Sequence, residues 1–241
     1  MKISDLKGIF KTSTLTVESV KNEHEDYYTV KMIPEKGTVW SPGEHGIFRL
    51  VSRKAKGRNW RVFSVASAPK EGFMLIGTRT GKEASPFKKE LISMEKGDRL
   101  SIRGPFGWFK VQDSVSPMVM VTGGVGITPV RSILKHLEND RTRAVELIYS
   151  ASEFHLFQDE LEAIALDNNK ITLHIVYSKK ETNKVLANLI SQYKNEAYYF
   201  LSGPPSFIQT IKKQIKDKGI KGKRIINDPF IGYFKKNQAQ K

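Results

Sequence analysis

The chain has 241 residues, 39% of them hydrophobic, no cysteine and a formal net charge of +15. That length suits one large or two small domains with buried cores, and the lack of cysteine excludes disulfides, thiolate zinc sites and cysteine-ligated iron–sulfur clusters. No run approaches the ~20 apolar residues of a membrane helix and no apolar h-region follows Met1, so neither a span nor a secretory signal is expected and a cytoplasmic location is.

Up to about Val111 the pattern is one of short alternating strands. Thr14–Val20, Tyr28–Met32, Gly46–Leu50, Arg61–Ala66, Phe73–Thr78 and Arg99–Arg103 each read as strand. Turn residues separate them: Pro34, Ser41-Pro42-Gly43, Pro69, Gly97-Asp98 and Gly104-Pro105. Six strands with little helix predict a small antiparallel barrel. One short helix is expected over Pro86–Met94, with Ser85 as N-cap and Pro86 at the first helical position.

From Pro117 the rhythm changes. Met118–Thr122 is a continuous apolar strand, followed by a helix over Pro129–Glu138 and a strand over Val145–Tyr149. A helix at Gln158–Leu166, a strand at Ile171–Tyr177, a helix near Val185–Tyr193, a strand at Ala197–Leu201, a helix at Pro205–Lys218 and a short strand at Arg224–Ile226 complete the series. Buried strands alternating with helices predict a parallel sheet with right-handed crossovers. The domain break is expected near Asp113–Pro117, giving residues 1–113 and 114–241.

Gly123-Gly124-Val125-Gly126-Ile127-Thr128-Pro129 lies between the first parallel strand and its helix. Glycines let a backbone approach a pyrophosphate closely, and the helix start offers free N–H groups and a positive dipole end. Such a run also serves as plain tight-turn architecture, and its last position is Pro129 rather than a third spaced glycine. Ser202-Gly203-Pro204-Pro205 occupies the corresponding place after the fourth strand. It is either a stop signal or a device that sets Ser202 over the same sheet edge.

Together with Trp40-x-Pro42-Gly43, Arg61-x-Phe63-Ser64, Ser67-x-Pro69, Gly104-Pro105-Phe106-Gly107 and the terminal Asp228-Pro229-Phe230-Ile231-Gly232-Tyr233, these runs resemble the ferredoxin–NADP+ reductase superfamily from Val17 to about Tyr233. The likeness is to compact bacterial reductases and to the reductase modules of flavohaemoproteins. It implies an FAD-binding antiparallel barrel over 1–113 followed by an NAD(P)H-binding α/β domain over 114–241. On the barrel, the resemblance implies that Arg61 pairs with a flavin phosphate, with Val62 beside it, that Phe63 packs on the isoalloxazine, and that Ser64 bonds near flavin N5. The backbone around Ala84 and Ser85, at the start of the short helix, is implied to hold the pyrophosphate, and Gly81 and Ser85 are similar to the family's glycine-to-serine phosphate motif with one residue extra. On the second domain, Gly123, Gly124, Gly126, Ile127, Thr128, Gly203 and Pro204 are implied to contact the nicotinamide nucleotide. Ser202 replaces a cysteine common near nicotinamide C4, so Ser64 and Ser202 are the implied catalytic pair. Ser178, Lys179 and Lys184 stand where NADPH-preferring relatives carry a Ser-Arg pair and a further Lys, which favours NADPH and leaves NADH open. The tyrosine position of those relatives is Leu186 here, and the glutamate that precedes the terminal aromatic is replaced by Asn227-Asp228. Phe230 or Tyr233 is implied to cover the nicotinamide-facing side of the flavin, or merely to close the seam.

The implied reaction carries hydride from NAD(P)H to FAD and electrons onward to an external acceptor. The charge of +15 favours an acidic carrier such as flavodoxin or ferredoxin. Residues 1–112 carry 21 basic and 12 acidic side chains and residues 113–241 carry 19 and 13, so no basic arm points to nucleic acid. A free-flavin or ferric reductase, or a non-catalytic nucleotide-binding regulatory module, are the alternatives. The five histidines lack metal-ligand spacing, so no metal is expected, and His45 reads as packing.

Overall fold

The computed structural model describes residues 8–228. Its first half is an antiparallel sheet of β1 (Thr12–His24), β2 (Tyr27–Pro34), β3 (His45–Leu50), β4 (Trp60–Ser64), β5 (Met74–Arg79) and β6 (Arg99–Phe106), in the order β4-β3-β6-β1-β2-β5. Alternate side chains point inward, as the period of two requires. Leu15, Val17, Val30, Met32, Phe48, Met74, Ile76, Leu100 and Ile102 form one core, sealed by Phe87 and Leu91 of helix α1 (Pro86–Ile92). The N–H of Ala66 donates to Leu75 O at 2.7 Å, so the segment after β4 meets β5 and curls the sheet toward a barrel. Strand β1 runs past the expected Val20 to His24. Those extra residues lack alternation because they form a two-stranded ribbon with β2 alone (Asn22 opposite Tyr28, His24 opposite Tyr27).

The second half is a parallel sheet of β7 (Met118–Gly123), β8 (Val145–Ser150), β9 (Ile171–Val176), β10 (Tyr198–Ser202) and β11 (Ile225–Asn227), ordered β11-β10-β7-β8-β9. Helices α2 (Ile127–Leu137) and α3 (Gln158–Asp167) cover one face; α4 (Lys179–Tyr193) and α5 (Pro205–Asp217) cover the other. From β7 the chain first adds strands on one side and then, with β10, on the other. The strand order reverses there, and the carboxyl ends of β7 and β10 open a crevice.

Two helices begin earlier than expected. Helix α2 starts at Ile127, which leaves Pro129 inside the first turn, where its missing N–H has no helical partner to lose. Helix α4 starts at Lys179, not near Val185. Ser178 Oγ accepts from the Glu181 N–H at 3.2 Å while the Glu181 carboxylate accepts from the Ser178 N–H, also at 3.2 Å. This capping box stabilises a polar first turn that carries no apolar periodicity.

The two halves meet closely. A Cβ on Gly77 of β5 would lie 2.8 Å from the Leu156 side chain and 2.9 Å from that of Thr128, so a side chain here would push both aside where the barrel meets helix α2. Among the described residues no helix is long and apolar enough to cross a membrane.

Candidate active site in the cleft between the sheets

A cleft of about 420 Å3 opens between the barrel and the carboxyl edge of the parallel sheet. Arg61, Val62, Phe63 and Ser64 line it from β4, which pairs with β3 so that Ser64 lies opposite His45. Phe63 is half-buried, its ring 5.7 Å from Phe48 and 6.1 Å from Phe87, and it closes the barrel core against the cleft. Arg61 donates to the carbonyl of its neighbour Trp60 at 3.1 Å and forms no ion pair among the described residues. Lys88 of α1 stands in the same wall, its Nζ donating to Arg79 O. Burial, reinforced by the Arg61 charge, pulls its ammonium down to about 8. Neither cation has a carboxylate within ion-pair distance among the described residues, although Asp26 acts on Lys88 from farther off, and two such charges beside an open cleft favour an anion there.

Ser85 caps α1, accepting from the Lys88 N–H at 3.4 Å, and lines the cleft. Gly81 has the left-handed φ of +73° that its turn requires, but its N–H donates to Asp26 Oδ2 at 2.9 Å. Neither Gly81 nor Ala84 lines the cleft; Thr80, Glu83 and Ser85 do.

Among the described residues the opposite wall, apart from Asp228 at the seam, is lined by glycines and uncharged side chains. Gly123, Gly124, Val125 and Thr128 line it, with Pro204 alongside. The glycines of the run have different reasons to be glycine. A Cβ on Gly126 would meet Gly203 at 2.6 Å, so that residue seats the helix start against β10. A Cβ on Gly123 would touch the Phe207 ring at 3.3 Å. At Gly124, with φ of +53°, nothing lies within 4 Å: this is the backbone that faces open cleft. Ile127 is buried in the core, and the Thr128 hydroxyl donates to Val125 O at 3.1 Å.

Asp228 joins the two walls. Its Oδ2 accepts from Ser64 Oγ and from Ser202 Oγ, both at 3.2 Å. Ser64 ends β4 and Ser202 ends β10, so one carboxyl gathers the two serines from separate sheets. Asp228 is 3% exposed, its Oδ1 has no partner among the described residues, and burial pushes its carboxyl up to about 6. The sequence pattern marks Asp228 as the start of the terminal run and, with Asn227, as a departure from the family's glutamate, but assigns it no role. The residue is carried here by β11, whose pairing with β10 ends at Leu201–Asn227, so the aspartate falls beside the serine that follows. His45 lines the cleft with its ring edge-on to Phe106 at 4.6 Å, and burial pulls it down to about 4, so it stays neutral. Phe230 and Tyr233 lie outside the described residues.

A second cleft, of about 410 Å3, adjoins the first through Pro204. Ser150, Lys179, Thr182, Asn183, Ser206 and Phe207 are among its lining residues. Lys179, at the start of α4, opens onto this second cleft. Ser178 is occupied in its capping box, and Lys184 lies outside the lining.

Residues 120–213 match the oxidoreductase NAD-binding domain family. One component of the Na(+)-translocating NADH-quinone reductase of Klebsiella pneumoniae is 27% identical over 215 residues, 77% of this chain and 52% of that one. The chain thus spans about half the length of the curated relatives it matches. Among solved structures, a ferredoxin NADP+ reductase from Neisseria gonorrhoeae with bound FAD and NADP superimposes with a TM-score of 0.75 at 19% identity, covering 90% of this chain and 98% of that one. The ferredoxin-NADP+ reductase from Plasmodium falciparum gives 0.76 at 16% identity over 89% and 95%.

Proposed function

From the premise that the chain has the ferredoxin–NADP+ reductase fold, with an oxidoreductase NAD-binding domain over residues 120–213, we propose that it is a flavoprotein reductase that uses NAD(P)H. The division of labour falls near Asp113–Pro117, with FAD on the barrel and the nicotinamide nucleotide on the parallel sheet. One observation carries this reading: Asp228 brings Ser64 of the barrel and Ser202 of the sheet to one carboxylate oxygen at the mouth of a cleft.

The residues present fit both groups. Arg61 and Lys88, uncompensated among the described residues, suit a flavin phosphate. Phe63 offers a ring face, and the open backbone at Gly124 suits a pyrophosphate. The flavin, when bound, supplies the hydride acceptor and passes electrons on. The chain's own part is orientation. The barrel wall would hold one ring and the β7 and β10 ends the other, and two bound rings packed in the cleft would leave little room for water between them. Ser64 and Ser202 offer hydroxyls on either side, and Asp228, neutral below about pH 6, can hold a proton beside them.

NADPH is the nucleotide favoured by Lys179 in the second cleft. A second reading, NADH, is favoured by Glu181, whose carboxylate already occupies the N-terminus of α4. Comparing 2′-AMP with 5′-AMP binding by calorimetry separates them. The acceptor we propose is an acidic carrier such as flavodoxin or ferredoxin, drawn by the net charge of +15. Reduction of such a carrier should slow as salt rises, and a salt-independent rate would contradict it. The reading as a whole predicts that the protein binds one FAD per chain, with quenching of flavin fluorescence, and that anaerobic NADPH or NADH bleaches the bound flavin. Failure to retain FAD refutes it.

A further inference from the structure

Helix α2 does two things at once. Its N-terminus carries the glycine run that lines the cleft, and one turn later it sends Arg131 into the barrel. Arg131 is 5% exposed, and all five of its N–H bonds are spent. Nε donates to Glu160 Oε2 at 2.8 Å; one terminal nitrogen donates to Ala66 O at 2.7 Å and Glu71 Oε2 at 3.2 Å; the other donates to Glu71 Oε1 at 2.9 Å and Glu160 Oε1 at 2.7 Å. Two carboxylates, one from each half of the molecule, are each held by two bonds. The next residue repeats the connection, Ser132 Oγ donating to Ser67 O at 2.8 Å.

The pairing continues as a ring. Lys135 lies 3.7 Å from Glu160 and 2.7 Å from Glu138, and Lys70 returns to the barrel from Glu138 at 2.8 Å. Glu71, Arg131, Glu160, Lys135, Glu138 and Lys70 alternate in sign and cross the seam twice. Burying a guanidinium costs several kcal/mol, and hydrophobic replacements are often as stable. A fork that saturates every donor fixes geometry more than it adds stability. The barrel segment it grips, Ala66 to Glu71, begins two residues after Ser64. The nucleotide-facing helix start and the flavin-facing serine are therefore joined through one side chain.

We infer that Arg131 is a positioning residue that sets the approach of nicotinamide to flavin across the cleft. It touches neither group, and the inference rests on the reading of the cleft as a flavin–nucleotide site. Lysine keeps the charge but has three donors where five are needed, so the seam stays closed while its register loosens. The decisive comparison is Arg131→Lys against the wild type, with FAD bound. Expected in the variant are unchanged FAD and nucleotide dissociation constants. Flavin reduction at saturating nucleotide should slow about 10- to 100-fold, the scale of an ångström-sized misplacement. The long-wavelength charge-transfer absorbance of the nucleotide–flavin complex should weaken. In the FAD-free protein, nucleotide binding should slow amide exchange over residues 65–71 in the wild type and not in the variant. Arg131→Met combined with Glu71→Gln, which leaves no barrel carboxylate unpaired, should show the same pattern if Arg131→Lys does not fold. A folded variant with wild-type reduction rate, charge-transfer band and exchange response makes the ring purely structural and overturns the inference. A wild type that binds neither FAD nor nucleotide overturns the reading of the cleft instead.

Discussion

The two walls of the cleft offer an anion opposite things. The barrel wall uses charge: Arg61 and Lys88 stand half-buried without carboxylate partners among the described residues. The parallel-sheet wall uses shape, with glycines and a helix start in place of charged side chains. Charge acts at a distance, tolerates small shifts and fades with salt; backbone amides act only at contact and tolerate none. The barrel wall should therefore respond to ionic strength, and the sheet wall to a single added methyl group.

The largest effect is expected at Gly126. Alanine there puts a Cβ 2.6 Å from Gly203 backbone, with no flexible side chain to yield. Overpacking of this kind should cost about 3 kcal/mol in urea unfolding, together with loss of nucleotide binding. Unchanged stability would show that the glycine is not there for packing. Next is Arg61→Ala, which should weaken FAD binding about 30-fold by removing charge-assisted bonds of roughly 2 kcal/mol. Fluorescence titration should also show a shallower salt dependence, with nucleotide affinity untouched; equal losses for both ligands would erase the contrast between the walls.

Asp228 lies where the walls meet, and its effect is on pH dependence. Its folded value of about 6 is raised above the ordinary 3.8, so the fold favours the protonated form. The stability this contributes is fully present below about pH 4 and is lost as pH rises through about 6. Asp228→Asn should remove that slope, leaving the variant the more stable form above pH 7 by on the order of 2 kcal/mol. Denaturation midpoints of the two proteins across pH 4 to 8 check it, and parallel curves would contradict it. The smallest change is at Ser202→Ala, which should slow flavin reduction about ten-fold or less, with FAD still bound; an unchanged single-turnover rate would remove Ser202 from the reaction.

What was legible in the sequence follows the same division. Strand alternation and the strand–helix rhythm placed both sheets, because periodicity reports a buried face directly. Arg61–Ser64 and Gly123–Thr128 were visible as runs whose neighbours in sequence are neighbours in space. Lys88 was hidden because it joins Arg61 only through the fold of α1 against β4. Asp228 was visible as a residue of the terminal run, but its role was hidden because its partners lie 164 and 26 residues away. The start of α4 was missed because a capping box, not an apolar stripe, holds its first turn. Arg131 and Glu71 belong to no motif in the sequence, and only burial reveals the guanidinium with every donor engaged.

If the cleft brings a nicotinamide and a flavin into hydride contact, the transferred atom itself can be followed. Anaerobic single-turnover reduction of the FAD-loaded protein, comparing nucleotide carrying hydrogen with nucleotide carrying deuterium at C4, tests it most directly. Hydride transfer in the cleft should bleach the flavin completely, slowed severalfold by deuterium. Flavin that stays oxidised with nucleotide bound, or bleaching indifferent to deuterium in a chemistry-limited turnover, would contradict it.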